Sequence, residues 1–351
     1  MRRVIHLLGR SEGGIRRHVR YLAGHPPAGY ETCAVVGPPE LARFFAGLPF
    51  VERRGRAVPP VPPADVLHAH GLGAAAAALR GRTIGRARLV VTVHTSPDQT
   101  LLASFPPARI RAVQRLLWSA ARLILARADA VVVVSQQMQG WVPGAQAIPP
   151  AVDLPAARRP RAEVRGELGA GDADVVVLAV GRLHPDKRLD LVIEGLHGTQ
   201  AHGWIAGDGP ERAHLERLAA GTSVGLLGHR EDVADLLAAA DVFALPASGE
   251  AYGLAVLEAV AAGLPVVATR VGAAPDIVGE AGVLAAPDDR AGFVRSLRQV
   301  VADRGLRDRL SAAAAARPLP SPEDLVARLG AVYDEGGRHG RRTSSAPHGR
   351  V

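Results

Sequence analysis

The sequence predicts an α/β protein built from two doubly wound units in succession. β-branched runs alternate with helical periods along the chain, and this rhythm breaks once, around 150–172, in a segment rich in Pro, Gly and charge. The length of 351 residues agrees with two domains. Because parallel α/β sheets bind ligands at the carboxyl ends of their strands, we expect a site in a cleft between two facing sheets.

The predicted elements follow this rhythm in both halves. Strands are predicted at 3–8, 32–36, 65–69, 88–94, 130–134 and 145–148, and then at 174–183, 203–207, 224–228, 241–246, 264–270 and 282–286. The clearest helices are at 14–24, 73–80, 107–128 and 322–334. The predicted organisation is a first domain (1–155), a linker (156–172), a second domain (173–320), a C-terminal helix (321–335) and a disordered basic tail (336–351).

The charge balance does not indicate nucleic-acid binding. The net charge is +8, but the predicted tail contributes four arginines, Arg338, Arg341, Arg342 and Arg350. The folded part therefore carries a smaller positive charge, so no nucleic-acid partner is expected.

Composition excludes several other classes of protein. Apolar residues make up 48% of the chain and the mean hydropathy is +0.10, which excludes an intrinsically disordered protein. No uncharged apolar run is long enough for a membrane span, and the N-terminus does not resemble a secretory signal. Cys33 is the only cysteine, and no Cys/His cluster has metal-ligand spacing along the sequence. We expect a cytoplasmic location.

Two glutamates flank the start of a predicted helix in the segment 248–278. Glu250 lies on the loop before the helix, Gly253 begins it, and Glu258 lies on its second turn among apolar residues. The first amides of a helix attract anions, and glycine lets a phosphate approach closely. The arrangement suits a sugar nucleotide, with one carboxylate accepting from sugar hydroxyls and the other from ribose hydroxyls. The alternative is that both glutamates are ordinary surface charges.

A second candidate loop carries two cations. Arg182 and Lys187 follow a predicted buried strand, and Lys187 is the only lysine among 42 basic residues. This isolation indicates that arginine would not serve there, since a compact ammonium differs from a planar guanidinium. Two such cations can neutralise a diphosphate leaving group, as a divalent metal does elsewhere. The alternative is again that both are ordinary loop charges.

The first half offers weaker candidates. Gly13 and Gly14 stand at a predicted helix start, without the spacing and downstream acid of a dinucleotide site, so NAD binding is weakly supported. His94 ends a buried strand and is a candidate for contact with a transferred sugar. His68 and His70 also end a strand, and for His68 we expect a structural role.

These motifs together resemble the retaining glycosyltransferases of family 4, whose GT-B fold has two Rossmann-like domains facing across a cleft. The resemblance covers roughly residues 1–335 and is strongest over 174–290. It rests on four elements: the Glu250–Glu258 pair with AYGLAVLEAVAAGLPVVAT, the GRLHPDK loop, GDGP at 207–210, and the segment 224–246.

The resemblance implies a set of catalytic residues. This set comprises Glu250, Arg182, Lys187 and His94. In the family, the two cations hold the donor diphosphate, the glutamate binds the donor sugar, and the histidine lies near that sugar.

The resemblance also implies a donor-binding set, which comprises Glu258, Tyr252, Gly253, Leu254 and Gly14. The glutamate matches the position on the nucleotide ribose. The amides of 252–254 match the phosphate-binding turn, and Gly14 matches a glycine beside the diphosphate. Tyr252 stands where the family more often has Phe.

The sequence therefore predicts transfer of a hexose-type sugar from a nucleotide-diphosphate sugar to an acceptor hydroxyl, with retention of configuration. No metal or other cofactor is expected, and the only Asp-x-Asp, Asp172–Asp174, falls in the predicted linker. One alternative is an NDP-sugar 2-epimerase of the same fold. Another is a non-catalytic sugar-nucleotide-binding protein, against which the cations and Glu250 argue. The nucleotide, the sugar, the acceptor and the oligomeric state are left open.

The helix near 107–128 has two interpretations. Its apolar face comprises Ile110, Val113, Leu117, Ala121 and Ile124, and its basic face comprises Arg111, Arg115 and Arg122. A basic amphipathic helix can rest on anionic lipid, which predicts weak peripheral membrane contact. A helix that covers a parallel sheet has the same pattern.

Overall fold

A computed structural model describes residues 1–9, 14–55, 58–80, 87–95, 107–151, 154–250 and 252–335, without the side chains of 107–115. The chain divides into two units, the first comprising Met1–Pro150 with Pro322–Val351 and the second Ala151–Ser321. The predicted tail 336–351 and Gly13 lie outside the described residues.

The first unit contains a parallel sheet of seven strands in the order β3-β2-β1-β4-β5-β6-β7. Its strands are β1 Arg2–Leu8, β2 Tyr30–Gly37, β3 Phe50–Glu52, β4 Val66–His70, β5 Arg88–Val93, β6 Ala130–Val133 and β7 Gln146–Ala147. Its helices are α1 Gly14–Gly24, α2 Leu72–Arg80, α3 Pro107–Leu125, α4 Gln136–Trp141 and, from the C-terminal end, α13 Pro322–Asp334. A 3₁₀ turn spans Pro39–Leu41.

The second unit contains a parallel sheet of six strands in the order β10-β9-β8-β11-β12-β13. Its strands are β8 Val176–Val180, β9 His202–Ala206, β10 Val224–Gly228, β11 Val242–Leu245, β12 Val266–Thr269 and β13 Gly282–Ala285. Its helices are α5 Arg161–Glu167, α6 Asp190–Leu196, α7 Arg212–Ala219, α8 Val233–Ala239, α9 Leu254–Ala261, α10 Ala274–Val278, α11 Arg290–Ala302 and α12 Arg304–Ala315.

Both sheets reverse their strand order beside their first strand. In the first unit β1 lies between β2 and β4, and in the second unit β8 lies between β9 and β11. This is the doubly wound order, in which ligands bind at the carboxyl ends of the strands where the order reverses. Central strands such as β11 and β12 are buried along their whole length, as expected for a parallel sheet. The predicted α/β class with two Rossmann-like units is confirmed.

The segment 156–172, predicted to be a linker, belongs to the second unit. It contains α5, whose fully buried Arg165 donates from Nη1 to the carbonyl oxygen of Ala239 (2.9 Å) and from Nε to that of Gly171 (3.0 Å). The same guanidinium pairs with Asp241 at 3.2 Å. The charge of Arg165 and of its neighbours indicated an exposed segment. The guanidinium is buried instead, because partners inside the unit satisfy its hydrogen bonds and its charge. The break between the units falls instead between Pro150 and Ala151.

Among the described residues, no helix combines the length and the apolar character that crossing a membrane requires. Helix α3 packs its predicted apolar face inward where the side chains are described, since Ala121 is buried and Leu117 and Ile124 are half-buried. The side chains of Ile110 and Val113 lie outside the described part of the chain.

Candidate functional site

The two loops that carry the predicted charges leave adjacent strands of the second sheet. Arg182 follows β8 and precedes a 3₁₀ turn at Pro185–Lys187, while Glu250 lies on the loop between β11 and α9. Because β8 and β11 are neighbours at the point where the strand order reverses, both loops lie at the expected ligand-binding edge of this sheet.

The GDGP segment supports the first of these loops. Leu183 donates its amide to the carbonyl oxygen of Asp208 (2.9 Å), and Glu211 donates to the carbonyl oxygen of Leu183 (3.0 Å). Gly207 has a φ of +146°, and a Cβ there would collide with the carbonyl oxygen of Gly181. Only glycine therefore fits at this close approach of two backbones.

Backbone contacts also tie the two charged loops to each other. Ser248 donates both its amide (2.8 Å) and its hydroxyl (3.2 Å) to the carbonyl oxygen of Asp186. These bonds hold the segment before Glu250 against the residue before Lys187.

Lys187 and Glu250 form an ion pair at the centre of this arrangement. The Nζ of Lys187 lies 2.8 Å from Oε2 of Glu250, and the two side chains are 15% and 24% exposed. Oδ2 of Asp186 lies 3.8 Å from the same ammonium, and Oδ1 of Asp186 lies 2.7 Å from Nδ1 of His184. Lys187 is thus placed between two carboxylates, and the exposed Arg182 lies on the same loop.

The start of α9 has the backbone that the sequence predicts. Gly253 has a φ of +92°, in the left-handed region that favours glycine, and Leu254 begins the helix. Tyr252 is buried, and burial, with a smaller contribution from Asp276, raises the pKa of its hydroxyl well above the usual range. Glu258 is only 3% exposed, which confirms the prediction that it does not face bulk solvent.

Two predicted residues of the first unit follow the carboxyl ends of strands of its sheet. Gly14 begins α1 after β1, and His94 directly follows β5. His94 is buried, with its Nε2 atom 3.2 Å from Nδ1 of His70. His70 in turn places Nε2 3.1 Å from Nδ1 of His6, so three buried imidazoles form a continuous chain of hydrogen bonds.

His68 has the structural role that was expected. Its Nδ1 lies 2.7 Å from the hydroxyl of Tyr333 on α13, and its Nε2 lies 2.7 Å from Oγ1 of Thr92. Both ring nitrogens are therefore satisfied inside the first unit. The contact also explains why α13, which follows the second unit in sequence, belongs to the first.

Burial keeps this histidine cluster, defined as His6, His18, His68, His70 and His94, in the neutral form. It lowers the pKa of His6 to about 3, with repulsion from His18 as a smaller cause, and that of His18 to about 4. For the other three members, burial is again the main cause of a pKa well below the usual value, and neighbouring histidines add to it.

One nitrogen each from His6, His68 and His70 lies within 4.8 Å of the others, so these residues could approach a metal ion. Sequence spacing did not reveal this grouping, because His6 lies on β1 and is far in sequence from His68 and His70, which both lie on β4. Hydrogen bonds already occupy nitrogens of all three residues. Nδ1 of His6 bonds with Nε2 of His70, and both nitrogens of His68 bond with hydroxyl groups. They account for the arrangement without an ion.

The Asp-x-Asp predicted to be a turn has that structure at its second residue. The side chain of Asp174 accepts a hydrogen bond from the amide of Gly171 (2.7 Å).

The sequence interpretation did not identify Asp186, Ser248 and His184 as parts of the site. Asp186 and His184 lie inside the GRLHPDK motif, and Ser248 lies two residues before Glu250. Their position inside the motifs was the available signal, but their contacts depend on which strands are neighbours in the sheet.

Comparison with known proteins gives one family match in each unit. Residues 13–154 match the sequence model of glycosyltransferase family 4, and residues 174–303 match that of the glycosyl transferases group 1. The chain is 35% identical over 161 residues to the sulfoquinovosyl transferase SQD2 of Arabidopsis thaliana. This match covers 43% of this chain and 32% of that protein. It is 32% identical over 271 residues to the D-inositol 3-phosphate glycosyltransferase of Geodermatophilus obscurus. This match covers 69% of this chain and 60% of that protein. The chain thus spans less than two thirds of the length of either relative.

The fold has solved counterparts. The crystal structure of Anabaena HepE in complex with UDP-glucose aligns with a TM-score of 0.77 at 19% identity, covering 95% of this chain and 99% of that one. At this identity the likeness shows the fold, which is GT-B. With a matching family model in each unit and this fold, the chain belongs to glycosyltransferase family 4, among the glycosyl transferases group 1.

Proposed function

We propose that the protein transfers a hexose-type sugar from a nucleotide-diphosphate sugar to an acceptor hydroxyl, with retention of configuration and without a metal ion. The observation that carries the proposal is the Lys187–Glu250 pair beside the start of α9, at the edge of the second sheet where strand order reverses. Such an edge is where doubly wound sheets bind nucleotides.

Each charged group of this site has a function towards such a donor. Lys187, Arg182 and the first amides of α9 hold the diphosphate and stabilise the charge that develops on it as it leaves. Glu250 accepts hydrogen bonds from the sugar hydroxyls. Glu258, shielded from bulk water, accepts from the ribose hydroxyls.

The proposed reaction exchanges one bond at the anomeric carbon for another on the same face. The bond from this carbon to the diphosphate breaks through an oxocarbenium-like transition state, and a bond to the acceptor oxygen forms. The acceptor proton passes to an oxygen of the departing diphosphate. His94, in the first unit, is proposed to contact the transferred sugar.

The relatives support a sugar-nucleotide donor and a hydroxyl acceptor. HepE was crystallised with UDP-glucose, and the Geodermatophilus relative is named for D-inositol 3-phosphate. We propose a cytoplasmic protein whose acceptor carries a hydroxyl group.

A screen of donors and acceptors tests this function. UDP-, GDP- and ADP-sugars are each incubated with inositol phosphates, oligosaccharides or glycolipids, and products are detected by mass. Proton NMR of the first product formed then gives its anomeric configuration. We expect the configuration of the donor, and an inverted product would contradict the retaining mechanism.

A further inference from the structure

The ion pair of the candidate site uses the same two groups that the proposed function assigns to the donor. Lys187 is assigned to the diphosphate and Glu250 to the sugar, yet the two side chains pair with each other at 2.8 Å. With Asp186 at 3.8 Å, the ammonium faces two carboxylates. An incoming diphosphate must therefore compete with Glu250 for Lys187, and it is repelled by the same carboxylate at short range.

From this geometry we infer that Glu250 makes the site favour a diphosphate that carries a sugar over a free nucleoside diphosphate. The inference rests on the proposed function. A sugar nucleotide brings hydroxyl donors, so Glu250 exchanges its bond to Lys187 for hydrogen bonds to the sugar. A free nucleoside diphosphate lacks the hydroxyls of the transferred sugar. Its terminal phosphate also has an additional ionisable oxygen with a pKa of about 6.

The same competition acts after transfer. When the sugar has left, Glu250 loses its hydroxyl partners while the nucleoside diphosphate still occupies Lys187. The bonds from Ser248 to Asp186 keep the two loops together, so the carboxylate remains close enough to pair with the ammonium again. Re-formation of the pair therefore favours release of the nucleoside diphosphate.

Binding measurements on the full chain test this inference. Dissociation constants are measured by calorimetry for UDP and UDP-glucose, GDP and GDP-mannose, and ADP and ADP-glucose, with the wild type and with Glu250→Gln. Glutamine keeps the size of the side chain but removes its charge. We expect the variant to bind the free diphosphate about tenfold more tightly, as removal of one partly screened charge near a surface predicts. The preference for the sugar nucleotide should fall accordingly.

A control separates local pairing from overall charge. Glu194→Gln makes the same charge change on α6, where the side chain is exposed and lies 3.6 Å from Arg290. Its dissociation constants should match those of the wild type, and an equal gain in this control would overturn the inference. If the wild type binds a sugar nucleotide but Glu250→Gln binds the free diphosphate no more tightly, the inference is wrong and the proposed function stands. If the wild type binds no sugar nucleotide, both are wrong.

Discussion

Lys187 is the residue on which the proposed chemistry depends most. It lies in a turn whose backbone is held by Ser248, so in the proposed reaction its ammonium keeps its position when Glu250 turns to the sugar. A charge positioned in advance stabilises a developing anion without reorganisation, which is the largest contribution in many enzymes.

Replacing Lys187 with Ala should lower kcat/KM by a factor on the order of 100, comparable to the loss of one preorganised oxyanion donor. Lys187→Arg should restore little, because a planar guanidinium presents its donors in a fixed fork, unlike the compact ammonium that lies near Glu250 and Asp186. Steady-state kinetics with the identified donor measure both effects. Near wild-type turnover in Lys187→Ala would remove this loop from the mechanism.

For the individual residues of the site, the sequence identified the charged side chains but not their contacts. The burial of Glu258 followed from its apolar flanks on α9. The pairing of Lys187 with Glu250 did not follow, because these residues are far apart in sequence and meet only through the pairing of β8 with β11. His68, His70 and His94 were expected at the ends of neighbouring strands, but the contribution of His6 on β1 and of His18 on α1 to the histidine cluster was not predicted, for the same reason.

At the scale of elements, helix α9 and the GRLHPDK loop together supply positive potential at one edge of the second sheet. The helix begins at Leu254, so the amide dipoles of its first turn add to the charges of Arg182 and Lys187. In the proposed reaction, these groups stabilise the diphosphate as a bound divalent ion does elsewhere.

Transfer should therefore proceed at an unchanged rate after treatment with EDTA and gel filtration into metal-free buffer. The measurement is the initial rate of nucleoside diphosphate release with and without added Mg²⁺ or Mn²⁺. A loss of activity that either ion restores would contradict the metal-free assignment.

Helix α3 presents leucines on a second face besides the one that packs inward. Leu116 and Leu123 are 70% and 62% exposed, and their spacing of seven residues places them on the same face. The exposed Arg122 precedes Leu123 on the helix, and the exposed Arg127, just after the helix, donates to the carbonyl oxygen of Leu123 (2.8 Å). Exposed leucines beside arginines are typical of surfaces that contact anionic lipid.

This surface predicts weak, salt-sensitive binding to vesicles that contain phosphatidylglycerol. Replacing Leu116 and Leu123 with Gln should reduce co-sedimentation, whereas Leu218→Gln, at an exposed position on α7 in the other unit, should not. If the wild type does not bind anionic vesicles even at low salt, where electrostatic attraction is least screened, the membrane interpretation is wrong.

The accuracy of the element predictions followed the strength of the hydrophobic pattern. Long β-branched runs such as β8 and β11 were predicted because parallel strands buried on both faces are continuously apolar. Strand β3 was missed because its three residues are too few to show a period. Helix α5 was read as linker because its arginines indicated exposure, whereas Arg165 is fully buried with internal partners.

At the scale of the whole molecule, the histidine cluster makes the first unit sensitive to acid. Above a pH of about 6.5 its members are neutral in both the folded and the unfolded chain, so they add no pH dependence. Below that pH the unfolded chain binds protons that the folded cluster excludes, since the folded pKa of His18 is about 4 and that of His6 about 3. The free energy of unfolding must therefore fall as the pH falls from about 6.5 towards these values.

Denaturant unfolding at pH 7, 6 and 5 should show this fall, with each such histidine contributing up to about 1.4 kcal/mol per pH unit. His18→Gln should flatten the dependence by removing one contribution. A wild-type free energy of unfolding that stays constant between pH 7 and 5 would contradict neutral burial of the cluster.

Glycosyl transfer is tested by separating and quantifying all species of one reaction by chromatography with mass detection: sugar nucleotide consumed, nucleoside diphosphate released and acceptor glycosylated. We expect equal amounts of the three with the wild type, and a rate lower by a factor on the order of 100 with Lys187→Ala. Conversion of the donor into an isomer of the same mass without release of nucleoside diphosphate would indicate an epimerase. Recovery of the donor unchanged from a tight complex would indicate a binding protein, and either result would contradict glycosyl transfer.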